Sequence, residues 1–152
     1  TGYGNLMLAA TFSGTTLANA GLGAVHGLAG PIGAFFEAPH GIVCARLLAP
    51  ISEQNIISLQ KEKTAHSEQT LAKYKQVADL LNANSSDTSK LDDLLESLKT
   101  LSTKYAPQGL SEYGLNSDNL TPVIDNCRSG SMLGNSVVLD DQQLMTALEK
   151  AL

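Results

Sequence analysis

The chain has 152 residues, enough for one domain with a substantial core and too few for two ordinary ones. Hydrophobic residues make up 43% and charged residues only 16%, against a usual share of about 25%, and the formal net charge is −5. That acidic balance excludes a nucleic-acid-binding module. Two cysteines, Cys44 and Cys127, exclude a disulfide scaffold and point to a reducing, cytoplasmic setting.

The charge deficit is local, since no Lys, Arg, Asp or Glu precedes Glu37. The first quarter is built for burial and the remainder for water. Tyr3 to Asn19 reads as a helix, with Leu6, Ala9, Ala10, Ser13, Leu17 and Ala20 at helical spacing and Met7, Leu8 and Phe12 on another face. A helix apolar all round belongs either in a domain core or against partner structure. The pattern is already under way at Thr1, so a fragment of a longer chain is expected.

Gly21 and Gly23 interrupt this helix, and a second, short one carries His26 to Phe36, with Pro31 expected to kink or break it. Ala38-Pro39 is an extended step, after which His40 opens a third helix that Pro50 should bend or end near Ile51. Ser52 to Ala65 is polar, helical or loop. Glu68 to Asn82 is amphipathic, with a stripe of Leu71, Tyr74, Val77, Ala78 and Leu81. Residues 82–89 form a loop in which Asp87 or Ser89 caps the next helix, Lys90 to Lys104. Leu110 to Leu115 connects to a helix over Ser117 to Arg128. A loop over Ser129 to Asn135 then leads to a last helix, Gln142 to Leu152, capped by Asp140 or Asp141. No segment alternates with period two long enough for a sheet, and the fold class is all-α.

The uncharged run contains two of the three histidines, His26 and His40. Three settings account for imidazoles there: a metal, a buried hydrogen-bond network, or a membrane span. Leu17 to Phe36 has the length of a span. However, Asn19, His26, Pro31, five glycines and the absence of N-terminal Lys or Arg argue against one, and no basic stretch marks a signal peptide. Fourteen residues across a Gly/Pro break let two adjoining helices aim both rings at one point. The same spacing suits two core histidines bonded to backbone. His66 reads as a surface residue, Cys127 as structural and Glu37 as a solvated loop carboxylate.

Leu17-Ala18-Asn19-Ala20-Gly21-Leu22-Gly23-Ala24-Val25-His26-Gly27-Leu28-Ala29, then Pro31-Ile32-Gly33-Ala34-Phe35-Phe36, Pro39-His40-Gly41 and Leu47-Leu48 with Pro50, resemble the signature of the iron-containing (group III) alcohol dehydrogenases. Ser131-Met132-Leu133-Gly134-Asn135 and the leucine-rich last helix are similar to that family's ending. The resemblance is close at both ends and loose between. It implies that residues 1–152 are the C-terminal helical, metal-binding domain, with an N-terminal nucleotide-binding domain missing from this stretch.

By that resemblance His26 and His40 are metal ligands for Fe2+ or Zn2+. An aspartate and a further histidine are supplied upstream, and NAD or NADP is the hydride carrier. The reaction implied is Lewis-acid-assisted hydride transfer between NAD(P) and a small alcohol, aldehyde or ketone, in a homo-oligomer that needs neither nucleic acid nor membrane. Gly30 departs from the family, many of whose members have a histidine near the nicotinamide at that position. Leu17, nine residues before His26, corresponds to a substrate-pocket position. Neutral imidazoles are needed for ligation, so metal affinity should fall below about pH 6.5. The chain alone, with two of four ligands, should bind iron weakly and catalyse nothing. The competing reading is a non-enzymatic helical domain used for dimerisation or partner docking.

Overall fold

The computed structural model of the chain describes residues 1–81 and 90–152. Among these residues every regular element is helical, as the absence of period-two patterning predicts. The α-helices are α1 (Gly2–Ala20), α2 (Ala24–Phe36), α3 (His40–Glu62), α4 (Ala65–Leu81), α5 (Leu91–Tyr105), α6 (Thr121–Asn126) and α7 (Asp141–Glu149). Short 3-10 turns occupy Leu110–Tyr113, Ser117–Asn119 and Gly130–Gly134. The expected Asp87 or Ser89 cap, and the end of the fourth helix at Asn82, lie outside the described residues. At Lys90, where α5 is entered, the Asp93 carboxylate accepts the backbone N–H at 2.9 Å.

Helix α3 is the centre of the fold, packed by α2, α4, α5 and α7. Leu28 and Ile32 of α2, Val43, Leu47, Ile51 and Leu59 of α3, and Leu144 and Leu148 of α7 meet in one core. Each such side chain contributes about 1.5–3 kcal/mol through burial. This explains why α3 does not end near Ile51. Pro50 costs roughly 3 kcal/mol inside a helix, yet Ile51, Ser52, Gln54, Asn55, Ile56, Ser58 and Leu59 beyond it are all buried, and their packing outweighs that cost. Helix α2 likewise continues through Pro31, holding Ala24, Leu28, Ala29 and Ile32 in the core.

The expected helix over Ser117 to Arg128 is divided. Asn116 accepts the Asp118 N–H at 3.0 Å and Asn119 accepts the Asn116 N–H at 2.8 Å, so these side chains hold a tight turn before α6 begins at Thr121. The last helix is capped by Asp140, whose carboxylate accepts the Gln143 N–H at 2.8 Å while Gln143 accepts the Asp140 N–H at 3.0 Å.

Helix α1 stands apart, because none of its residues is buried. Tyr3, Met7 and Phe12 are 86%, 73% and 63% exposed. Its polar side chains turn back on their own helix: Thr11, Thr15 and Thr16 donate to carbonyls one turn earlier at 2.9–3.0 Å, and Asn19 does the same at 2.8 Å. The structure thus places this all-apolar helix outside the core of the described residues. No described helix is long and apolar enough to cross a membrane. The uncharged run is divided at Gly21, which has a φ of 73°.

Candidate metal centre

His26 lies in the first turn of α2 and His40 is the first residue of α3. Only Glu37, Ala38 and Pro39 separate the two helices. Glu37 takes the left-handed conformation (φ 48°, ψ 25°) that ends α2, and Pro39, with φ −59°, sets the entry into α3. This short joint turns the chain so that the imidazoles face each other, with ring centroids 5.3 Å apart and planes inclined at 51°.

Cys44 joins them. It lies four residues after His40 on the same face of α3, and its Sγ is 3.4 Å from His40 Nε2 and 3.7 Å from His26 Nε2. One ligand atom from each of the three residues lies within 4.8 Å of the others. His26 and Cys44 are half-buried and His40 is exposed. Burial, followed by the proximity of His40, lowers the pKa of His26 below the ordinary 6.5, which keeps its imidazole neutral and its lone pair available. Burial pushes the Cys44 thiol up from its ordinary value. The donor types and their convergence fit a divalent transition ion.

A cleft of about 430 Å3 opens beside this group, lined by Val25, His26, Cys44, Leu48, Ile51, Asn55, Tyr74 and Asn135 among others. The start of α2, which carries His26, is pinned by the segment before α7. Asn135 Oδ1 accepts the Ala24 N–H at 3.1 Å, satisfying a donor that the helix cannot pair itself. Close approach requires glycine here. A Cβ on Gly134 would lie 2.0 Å from the Leu22 carbonyl oxygen, and one on Gly27 would lie 2.9 Å from Met132.

The other residues singled out from the sequence fall outside the cluster. Leu17, in the last turn of α1, is 48% exposed and does not line the cleft. Gly30 is exposed, and a Cβ added there would meet nothing within 4 Å. Glu37 is an exposed helix cap. His66 bonds the Ser136 carbonyl at 3.0 Å from the surface of α4, and buried Cys127 donates to the Ile124 carbonyl at 3.2 Å. Sequence reasoning missed Cys44 as a member of the histidine group. Its spacing of four from His40 was the available signal, masked by the apolar run around it.

Residues 3–152 match the family model described as "Fe-containing alcohol dehydrogenase family, C-terminal". The chain belongs to the iron-containing alcohol dehydrogenase family. Over 125 residues, 77% of the chain, it is 30% identical to the bifunctional aldehyde-alcohol dehydrogenase AdhE of Escherichia coli strain K12, of which it spans 14%. It is 46% identical to the lactaldehyde reductase of the same organism over 43 residues, 28% of the chain and 11% of that protein. In fold it is similar to the crystal structure of a 1,3-propanediol oxidoreductase, with a TM-score of 0.75 and 24% identity over 91% of the chain and 35% of that structure. The chain thus corresponds to a C-terminal, all-helical portion of much longer iron-containing alcohol dehydrogenases.

Proposed function

We propose that this region is the metal-holding wall of the active-site cleft in a metal-dependent, NAD(P)-linked alcohol dehydrogenase. The observation that carries the reading is the convergence of His26 and His40 beside an apolar cleft in a chain of this family. A divalent ion, Fe2+ or Zn2+, supplies Lewis-acid polarisation of an alcohol or carbonyl oxygen when bound there. His26 and His40 offer neutral nitrogens to hold that ion, and the joint at Glu37–Pro39 fixes the angle between them. Leu48 and Ile51 give the cleft an apolar wall suited to a small alcohol, aldehyde or ketone.

The rest of the site, an aspartate, another histidine and the NAD(P)-binding domain, comes from other parts of the polypeptide. Exposed α1 supports that arrangement, because a wholly uncharged helix with self-satisfied hydroxyls is suited to burial. Its cover is the remainder of the same chain, within a homo-oligomeric cytoplasmic enzyme. Residues 1–152 alone are catalytically inactive.

The test is replacement of His26 or His40 by alanine in the full-length protein. Each variant is expected to lose stoichiometric metal and metal-dependent oxidation of alcohols with NAD(P), followed by elemental analysis and reduced-nicotinamide absorbance. Wild-type metal content and rate in both variants would refute the assignment.

A further inference from the structure

We infer that the cleft between α3 and α5, bordered by Lys150 at the end of α7, binds a phosphate group, either free or carried by a small phosphomonoester. This cleft shares no lining residue with the one beside His26, and its assignment does not depend on the metal-site reading.

Helical spacing builds the cleft. Arg46, Ala49, Pro50 and Glu53 lie at i, i+3, i+4 and i+7 on α3, and Lys99, Ser102 and Thr103 at i, i+3 and i+4 on α5. Between these faces is a space of about 400 Å3, within the roughly 300–1,000 Å3 usual for small-ligand sites. The short side chains of Ala49 and Pro50 leave that space open between the charged groups.

The charge of the cleft opposes that of the chain. Three cations, Arg46, Lys99 and Lys150, line it with one carboxylate, Glu53, an excess of two positive charges in a chain of net charge −5. Glu53 is already engaged, since Lys150 Nζ donates to its Oε2 at 2.6 Å. Among the described residues Arg46 and Lys99 make no ion pair. Arg46 Nε is moreover buried with no hydrogen-bond partner, a costly state for a charged donor and one that a bound oxyanion relieves.

A tetrahedral dianion answers each of these groups. A guanidinium grips two phosphate oxygens at once, and an ammonium adds a compact point charge. The hydroxyls of Ser102 and Thr103 can donate to the oxygens that remain. Two negative charges match the excess of two, whereas a monocarboxylate supplies only half of it.

The test follows acetylation of lysines in the full-length protein, peptide by peptide, by mass spectrometry. Inorganic phosphate should slow the reaction at Lys99 and leave exposed Lys73 of α4 unchanged. In Arg46→Gln the half-protecting concentration should rise about 10- to 100-fold, the loss expected for a charge-assisted bond. Thr103→Glu sets a carboxylate at an exposed position of the cleft, without entering the core, and should abolish protection. Glycerol 3-phosphate protecting at lower concentration than phosphate would assign the remaining space to the organic part of a phosphomonoester. Equal concentrations would assign the site to free phosphate. Equal slowing at Lys73, no slowing at Lys99, or undiminished protection in both variants would overturn the inference.

Discussion

Asn135 and Asn55 pair amide to amide across 80 residues of sequence, with Asn135 Nδ2 donating to Asn55 Oδ1 at 2.8 Å and Asn55 Nδ2 donating back at 3.3 Å. Asn135 also accepts from Ala24 N–H and donates to the Val137 carbonyl, and Asn55 donates to the Tyr74 hydroxyl. One amide thus joins the start of α2, the middle of α3 and the approach to α7. Replacing Asn135 by alanine leaves the Ala24 N–H without this partner and the Asn55 amide short of two. At about 1–3 kcal/mol for each polar group left unmet in a buried setting, we expect a loss of about 2–4 kcal/mol in chemical denaturation. A change of less than about 0.5 kcal/mol, the scatter of neutral surface substitutions, would deny the amide this role.

Two glycines of α2, one turn apart, should respond in opposite ways to alanine. At Gly27 the new methyl meets Met132 side-chain atoms at 2.9 Å and its Cα at 3.1 Å, so Gly27→Ala should cost about 1–3 kcal/mol by overpacking. At Gly30 it meets open space. The helix-propensity gain of about 0.5–1 kcal/mol is partly cancelled because residues before proline disfavour helical backbone, which leaves Gly30→Ala near neutral. Thermal unfolding of both variants checks the contrast. Equal destabilisation would show that Gly30 has a packing role absent from the structure.

The depressed His26 pKa fixes the sign of a pH effect. Above pH 6.5 the imidazole is neutral in both folded and unfolded chains, and its contribution to stability is complete. Below 6.5 the unfolded chain takes up the proton first. Stability of the metal-free protein therefore falls as pH drops toward and through the lower folded-state value. An NMR titration of the metal-free protein should place His26 below 6.5. His40→Gln should move it back upward by removing the neighbouring charge. An unmoved titration in that variant would leave burial as the sole cause.

Helix α1 makes a separable contribution. With no buried residue in α1, deleting residues 1–20 from the 152-residue chain should change the stability of the remainder by less than about 0.5 kcal/mol. The intact chain should bind a hydrophobic dye or self-associate through Tyr3, Met7 and Phe12, and the shortened chain should do neither. A large stability loss on deletion would mean that α1 packs on this domain in solution.

What the sequence disclosed, and what it hid, follows from the range of the interactions involved. Helical periodicity and the Gly/Pro/His run are local, and they located α1, α2, the start of α3 and the two histidines. The continuation of α3 past Pro50 was not legible, because burial against four other helices decides it. Asn116 and Asn119 divided a predicted helix through side-chain bonds that propensity counts do not contain. Cys44 was hidden by its company: surrounded by Val43, Ala45 and Leu47, it reads as a small hydrophobe until the turn of α3 brings it to His40. Asn135 was legible only as part of a terminal signature. Its bonds to residues 24 and 55 are tertiary.

The joint at Glu37–Pro39 has a consequence for assembly. His26, His40 and Cys44 sit on one helix–turn–helix, so bringing them together closes a loop of fewer than about twenty residues, for which chain-closure entropy is small. Contacts this local form early in folding. The donor cluster can therefore be organised by the hairpin itself, and an ion captured there would nucleate the domain rather than merely occupy it.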